Sequence, residues 1–492
     1  MSKETPSFYI KTNRTFNNFK KISWTIVPFI AIGGLFYPKL GLLLILIMLT
    51  IMTLGFFKGK YWCGNLCPHG SLFDFILLPL SPNKKIPGLI TSTTLKVLFF
   101  LWYMGMFTWR VVKVSQLWGT LTFYDKLGFV FTMNYLIPTI IGTTLALFVT
   151  PRAWCNFCPM GTIEQLFYKL GKATGLNTGT DKKVTVAAPE LCHKCGKCSR
   201  VCPMQLKPYL EFSPENQFDN ENCIRCTTCI ENCPAGILSL ANYDESKQRS
   251  EAVNKTGYEG RRRIKGIVEG VKPLTHDVTE YTFKLIEPEK VNYEAGQFIL
   301  VKILDDPEMF RAYSISSYHE DGERLSVTIK KLKDGFGTSI IFGGFKAGDT
   351  VELEGPLGRE LVVDKHHPKV LLVAGGIGIT PFVPIVEDLL QNKNSLEDVT
   401  LIYGVNKEEE FIYDEFFKGL AAQNPKFKYL PTVAFPDKSW QGHRGFVTDV
   451  LKDMKLEGYK VYMCGPKPMV NATVRVLKEK GVDERGFFAE SA

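Results

Sequence analysis

At 492 residues, with 45% hydrophobic, 22% charged and 12% aromatic side chains, the chain is too long for one compact core and too apolar for disorder, collagen-like repeats or low complexity. The net charge of +9 is unevenly placed: residues 1–183 carry 19 Lys and Arg against 5 Asp and Glu, and the remainder 40 against 45. Because the basic excess sits beside long apolar runs, it reads as the cytoplasmic flank of a membrane segment and argues against a nucleic-acid partner.

A basic cytoplasmic arm, residues 1–21, opens the chain. Four apolar runs follow inside residues 22–175: Ile22 to Pro38, Leu40 to Phe57, Thr91 to Trp109 and Leu127 to Pro151. The second is an uncharged stretch of 18 residues and the fourth one of 25, long enough to cross ~30 Å of hydrocarbon at ~1.5 Å per residue. The third is interrupted only by Lys96, which can snorkel. The pattern predicts a four-helix transmembrane bundle of two hairpins. Lys3, Lys11, Arg14, Lys20, Lys21, Lys58, Lys60, Lys84, Lys85, Arg152, Lys169 and Lys172 outweigh Lys39, Arg110, Lys113 and Lys126 on the other side. Both termini and the soluble domains are therefore expected on the cytoplasmic face of a bacterial inner membrane. Ser71 to Leu80 is apolar apart from Asp74 but too short to span, and reads as interfacial or re-entrant. No histidine lies inside the runs, which disfavours haem, and no Asp, Glu or His relay supports ion pumping.

Beyond the membrane half, residues 186–243 are dense in cysteine and residues 244–259 read as a polar linker. Residues 260–365 alternate in the manner of Leu325 to Lys330, as expected of an antiparallel β-barrel. From residue 366 to 492, short apolar runs such as Val370 to Ala374 alternate with amphipathic stretches such as Phe382 to Leu390, the pattern of a parallel α/β domain.

The thirteen cysteines fall into sets of eight, four and one, spaced for metal ligation more than for a secreted disulfide framework. Cys192-x2-Cys195-x2-Cys198-x3-Cys202-Pro203 and Cys223-x2-Cys226-x2-Cys229-x3-Cys233-Pro234 each wrap one face of a cubane, and the fourth cysteine of each run completes the other cluster. One [4Fe–4S] cluster is thus assigned to Cys192, Cys195, Cys198 and Cys233, the second to Cys223, Cys226, Cys229 and Cys202. Structural zinc is the alternative, but it needs neither the third cysteine nor the Cys-Pro ending. The module resembles an α+β two-cluster bacterial ferredoxin.

The membrane half contains a repeat. Trp62-Cys63-Gly64-Asn65-Leu66-Cys67-Pro68-His69-Gly70-Ser71 matches Trp154-Cys155-Asn156-Phe157-Cys158-Pro159-Met160-Gly161-Thr162 with one inserted residue, each after an even-numbered span. Two hairpins related by a pseudo-twofold axis would gather Cys63, Cys67, Cys155 and Cys158 around one further iron–sulfur or iron centre at the membrane surface. Buried thiols or a regulatory disulfide are the alternative. His69 reads as an interfacial polar residue. The paired Cys-Pro motifs after transmembrane helices resemble the NapH/NosR/CcoG type of membrane polyferredoxin. The second motif departs from that pattern, with two residues between its cysteines where the first has three.

Arg311-Ala312-Tyr313-Ser314 at a strand end, Gly335-Phe336-Gly337-Thr338-Ser339 opening a helix, Ala374-Gly375-Gly376-Ile377-Gly378-Ile379-Thr380-Pro381 after a buried strand, and Cys464-Gly465-Pro466 follow in order. Glycine-rich helix openings of this kind suit phosphate groups. The series resembles the ferredoxin–NADP reductase superfamily. That resemblance implies FAD, with Tyr313 packed on the ring system, Ser314 at its N5 edge, and Arg311, Gly337 and Thr338 at the pyrophosphate. It also implies a nicotinamide dinucleotide at Gly375, Gly376, Gly378, Thr380, Pro381 and Gly465, with Cys464 beside the nicotinamide, so that Cys464, Tyr313 and Ser314 border the chemistry. Phe487-Phe488-Ala489-Glu490 resembles the C-terminal segment near the flavin of oxygenase-type reductases. The acidic Glu408-Glu409-Glu410 after the second strand favours NADH over NADPH.

Together these features predict a membrane-bound oxidoreductase carrying electrons between NADH, FAD, two cubanes and the membrane centre. The electron acceptor is open among a quinone, an external flavoprotein and a partner membrane subunit, as are oligomerisation and the direction of flow. An accessory protein that reduces or matures a partner complex, and a membrane-tethered redox sensor, are the competing readings.

Overall fold

The computed structural model describes residues 7–317, 319, 321–391 and 396–491. The chain divides into two compact units: Ser7–Cys192 with Gly196–Asn254, and Lys255–Ala492 with His193–Cys195.

The first unit contains four helices long and apolar enough to cross a membrane: α1 Asn18–Phe36, α2 Pro38–Lys58, α3 Thr93–Ser115 and α4 Phe123–Phe148. Helix α1 is not regular. It runs Asn18–Ile22, a 3-10 turn Ser23–Thr25, Ile26–Ala31 and Gly33–Phe36, because Pro28 lacks a donor and the Gly33-Gly34 pair weakens the ladder. Small residues set the crossings: a Cβ on Gly41 would overlap the Gly128 carbonyl, and one on Gly34 would overlap Thr132, so α1 and α2 press backbone onto α4. Helix α5, Pro159–Thr174, then packs along α2, with Gly55 against the Glu164 backbone.

Ser71 to Leu80, expected as interfacial or re-entrant, buries Phe73, Asp74 and Leu77 and leaves Phe75 and Leu80 exposed. Residues Leu72–Leu77 form a π-helical turn whose Phe73 and Leu77 are buried with Ala146, Trp154 and Phe157. Three basic residues assigned to cytoplasmic flanks, Lys20, Lys60 and Arg152, are buried at 3%, 3% and 1% exposure. Lys3 lies outside the described residues.

The cysteine-dense region is closed by an antiparallel pair, β1 Lys183–Val186 and β2 Leu238–Ala241. The arm lies along this fold and is not a free tail from residue 8 onward: Ile10 N donates to Arg200 O (2.9 Å), Arg200 Nε to Phe8 O (2.9 Å) and Asn232 Nδ2 to Asn13 O (2.8 Å). Residues 244–259, expected as a structureless linker, begin with a helix, α6 Tyr243–Ala252. Its cause is local: the Asn242 side chain accepts from Glu245 N (2.9 Å) while Glu245 reaches back to Asn242 N (3.2 Å), a capping box with two acidic residues in the first turn.

The second unit begins with the antiparallel strands β3 Arg262–Pro273, β4 Val278–Glu287, β5 Phe298–Leu304, β6 Met309–Ser314, β7 Arg324–Lys330 and β8 Thr350–Leu357, in the order β6-β5-β8-β3-β4-β7. An Ile315–Val327 bridge joins the two edges and closes the sheet into the expected barrel. Helix α7, Phe336–Gly344, lies between β7 and β8. A parallel sheet follows: β9 Lys369–Gly375, β10 Asp398–Val405, β11 Phe427–Val433, β12 His443–Arg444, β13 Lys460–Gly465 and β14 Phe487–Ser491, ordered β12-β11-β10-β9-β13-β14. Helices α8 Phe382–Gln391 and α9 Lys467–Glu479 pack on it. The central strands β9, β10 and β13 are continuous apolar runs because both faces are covered.

Candidate functional site

Strand order locates the nucleotide crevice. The chain leaves β9 outward through β10, β11 and β12, then returns to β13 on the other side, so the order reverses between β9 and β13. Ligands of open α/β sheets bind at such a switch point, beyond the carboxyl ends of the strands. Gly375 to Gly378 and Cys464-Gly465 meet there: a Cβ on Gly378 would lie 2.5 Å from the Cys464 carbonyl carbon and 2.7 Å from Gly465 Cα. The glycines divide their tasks. Gly375 and Gly378 allow close packing against Met469 and Cys464, whereas Gly376 has φ +54° and open space where a Cβ would be. Thr380 is buried and Pro381 directly precedes α8.

Cys464 is itself buried, and burial, with Glu490 opposite it in register on β14, holds its thiol far above the usual range. Glu408–Glu410 forms a 3-10 turn after β10, and Glu410 Oε2 accepts from Asn406 N at 3.3 Å. This places acid beyond the second strand, where a ribose would sit.

In the barrel, alternation on β6 puts Arg311 and Tyr313 on one face and Ser314 on the other, opposite Phe298. Burial raises the Tyr313 hydroxyl to about 12. The opening of α7 packs on the same face: a Cβ on Gly337 would sit 2.8 Å from Arg311 Nε. The structure thus brings together Arg311 and Gly337, two of the three residues expected at a pyrophosphate. Arg311 Nη1 donates to the carbonyls of Phe310 (2.7 Å) and Cys195 (2.8 Å). The Thr338 hydroxyl is engaged within its own turn, donating to Gly335 O (3.2 Å) and accepting from Leu332 N (3.3 Å). Tyr413, which no motif signalled, ties the α/β domain to the barrel next to the Tyr313-Ser314 strand through Glu280 (2.6 Å) and Thr328 (2.6 Å).

In the other unit, Cys63, Cys67, Cys155 and Cys158 line one cavity of about 100 Å³ whose walls continue between α2, α3 and α4. The repeat is visible in its contacts. Gly70 of the first motif abuts Arg152 beside the second, and Gly161 of the second lies 3.7 Å from Cys63 Sγ and 3.9 Å from Lys60 beside the first, measured from the Cβ each glycine lacks. All four thiols are free of disulfides. Burial raises Cys67 to about 11 and Cys158 to about 12, so these sulfurs become thiolates only beside compensating positive charge, as a bound metal supplies. Among the described residues no three His, Cys, Asp or Glu group closely enough to hold a metal ion; what the four cysteines share is the wall of this one cavity. His69 Nε2 is bonded to Thr139 Oγ1 (2.8 Å) at the cavity wall, and burial lowers its imidazole to about 4.

Residues missed in the sequence surround this ring. Glu164 accepts from Trp62 N (2.9 Å) and from Cys63 Sγ (2.9 Å), and burial raises its carboxyl to about 7. Arg152 donates to Cys63 O (3.0 Å) and Cys155 Sγ (3.5 Å). The segment of the second ferredoxin run touches both repeats: Lys60 Nζ reaches Asn222 Oδ1 (3.1 Å) and Asn65 Nδ2 reaches Arg225 O (3.2 Å) at the first motif, and Gln165 Nε2, in the helix after the second motif, reaches Glu221 O (2.8 Å). One signal was available: Lys60 and Arg152 occupy the same position, three residues before the first cysteine of each motif.

Four domain families match parts of the chain. Residues 372–475 match the oxidoreductase NAD-binding domain, 265–360 the oxidoreductase FAD-binding domain and 185–253 a 4Fe-4S dicluster domain. A 4Fe-4S binding domain matches twice, at 40–87 and 132–177, once on each membrane motif. The phenol 2-monooxygenase reductase component of Pseudomonas sp. (strain CF600) is 31% identical over 231 residues, 46% of this chain and 64% of that protein. The ferredoxin–NAD(P)+ reductase component of the naphthalene 1,2-dioxygenase system of Pseudomonas putida is 30% identical over 232 residues, 47% of this chain and 69% of that protein. The CDP-6-deoxy-L-threo-D-glycero-4-hexulose-3-dehydrase reductase of Yersinia pestis is 27% identical over 331 residues, 66% of this chain and 95% of that protein. The chain thus spans just under two thirds of the phenol 2-monooxygenase reductase and more of the other two. The strand-order switch and the antiparallel barrel coincide with the matched NAD-binding and FAD-binding domains. The chain belongs to the ferredoxin–NAD(P)+ reductase family, carrying 4Fe–4S domains in the same polypeptide.

Proposed function

We infer that the protein is a membrane-bound oxidoreductase that moves electrons from NADH through FAD and two [4Fe–4S] clusters to an iron–sulfur centre held by Cys63, Cys67, Cys155 and Cys158, and on to an acceptor in or across the bilayer. The observation that carries this reading is the convergence of four cysteines from two repeats on one cavity, with the second ferredoxin run in direct contact with the first repeat. When bound, a flavin converts a two-electron hydride into single electrons and iron–sulfur clusters relay them.

The residues of this chain supply position and environment. Gly376 turns its backbone to the nucleotide, Arg311 and Gly337 hold the flavin pyrophosphate, and Tyr313 and Ser314 border the flavin ring. Cys192, Cys195, Cys198 and Cys233 hold one cubane, and Cys223, Cys226, Cys229 and Cys202 the other. The acid of Glu408–Glu410 disfavours a ribose phosphate, so NADH is the expected donor. Four helices long and apolar enough to cross a membrane, α1 to α4, support a position for the cysteine ring at the cytoplasmic membrane surface.

The test is anaerobic purification in detergent, with iron, sulfide and flavin counts and EPR spectra after NADH addition. Cys63→Ser or Cys155→Ser should remove one iron centre while NADH still reduces the flavin. Full iron content and full acceptor reduction in both variants would dismiss the membrane centre.

A further inference from the structure

The cysteine ring has a buried charge beside it that no motif explains. Arg152, Asp74 and Lys20 are 1%, 4% and 3% exposed. Arg152 grips Asp74 with two parallel bonds, Nε to Oδ1 at 3.0 Å and Nη2 to Oδ2 at 2.6 Å, and Lys20 Nζ meets the same carboxylate at 2.8 Å. Such a fork fixes the guanidinium plane. Nη2 also donates to Gly70 O (3.2 Å), and Nη1 is directed at Cys63 O (3.0 Å) and Cys155 Sγ (3.5 Å), one group from each repeat. A guanidinium does not deprotonate in a protein. Two cations against one carboxylate leave the triad with a net charge of about +1, shielded from water.

We propose that Arg152, locked by Asp74 and supplemented by Lys20, is a positioning residue that raises the reduction potential of the centre held by Cys63, Cys67, Cys155 and Cys158, making it the electron sink at the end of the soluble chain. The inference rests on the iron–sulfur reading of those four cysteines. On reduction, one electron leaves the neighbouring [4Fe–4S] cluster and enters the centre; no bond is made or broken. The added negative charge is stabilised by the fixed cation and by the N–H directed at the Cys155 sulfur, both stronger in a low-dielectric site. The repeat assigns its two cations different partners: Arg152 faces the cysteine ring, whereas Lys60, its counterpart, donates to Asn222 of the ferredoxin run.

The test is an EPR-monitored redox titration of the full-length protein in detergent, with iron counted in each sample. Arg152→Gln should lower the midpoint of the membrane centre by at least tenfold in its reduction equilibrium, about 59 mV for a one-electron couple, with both cubanes unmoved. Lys20→Met should shift it the same way by less, and Asp74→Asn, which removes the only anion of the triad, should shift it the opposite way. If Arg152→Gln loses its iron, the opposed shifts of the other two variants still carry the proposal. An unmoved midpoint with iron retained, or loss of the centre in all three variants, overturns it and leaves the triad as scaffold. Wild-type protein with iron for two cubanes alone overturns instead the reading of the four cysteines, a distinct result.

Discussion

Gly64 lies against Ile224 so closely that a Cβ on residue 64 would overlap the Ile224 carbonyl, 2.9 Å from its carbon and 3.3 Å from Cys226 N. Gly64 directly follows Cys63 of the membrane ring, and Ile224 lies between two cysteines of the second ferredoxin run. Two candidate ligand loops therefore touch backbone to backbone, with no side chain between them. Any added atom must move one of the loops, and electron transfer falls steeply with distance.

Gly64→Ala should leave both ferredoxin clusters assembled and reducible by NADH but slow the reduction of the membrane centre by tenfold or more. Stopped-flow absorbance with iron counting reads this directly. Unchanged kinetics would mean that electrons do not cross at this contact.

The crevice between β9 and β13 makes a second demand. Gly378→Ala inserts a Cβ into the Cys464–Gly465 backbone, so nucleotide affinity should fall, with kcat/KM for NADH down about 10- to 100-fold and flavin content retained. Gly419→Ala is the contrast. It sits inside the helix Asp414–Gln423 with open space around it and should be neutral or stabilising by about 0.5–1 kcal/mol. Equal losses in the two variants, measured by steady-state kinetics, would show that general destabilisation and not the crevice is responsible.

Glu490 predicts a pH dependence. Burial raises its carboxyl to about 7, with Glu360 adding to the effect, while an unfolded chain ionises near ~4.3. Between these values the unfolded state gives up a proton that the folded state keeps, so the contribution of Glu490 to stability is fully present below ~4.3 and is lost as pH rises through about 7. The temperature at which bound flavin is released should therefore fall across this window in the wild type, and fall less in Glu490→Gln. Each kcal/mol involved corresponds to about 2–4 °C for a unit of this size. Identical pH profiles for the two proteins would count against a buried, protonated Glu490.

The legible part of this molecule was what spacing and periodicity encode. The eight ferredoxin cysteines, the repeated Cys-Pro motifs, the alternation of the barrel strands and the glycine turn after β9 each report local geometry, because they are set by residues close in sequence. Helix α6 was missed although its capping box, Asn242 to Glu245, is equally local; a polar helix without an apolar stripe gives periodicity nothing to detect. Thr338 was legible as a residue at a helix opening, but its hydroxyl is used within the turn, which depends on where Leu332 returns.

Charge was the poorest guide to place. Lys20, Lys60 and Arg152 read as flanking positive residues, and Asp74 as the lone charge of an apolar strip, because a count of signs contains no partners. Their burial depends on α1, the turn after Cys67 and the segment before Cys155 meeting in space, across separations of 54 and 78 residues. Sequence by itself determined the kinds of cofactor chemistry and their order along the chain, since ligand spacing is a property of neighbours. Only the tertiary structure decided which backbones touch, which thiols share a cavity and which cation faces them, since a buried charge is tolerated only where folding brings its counterion.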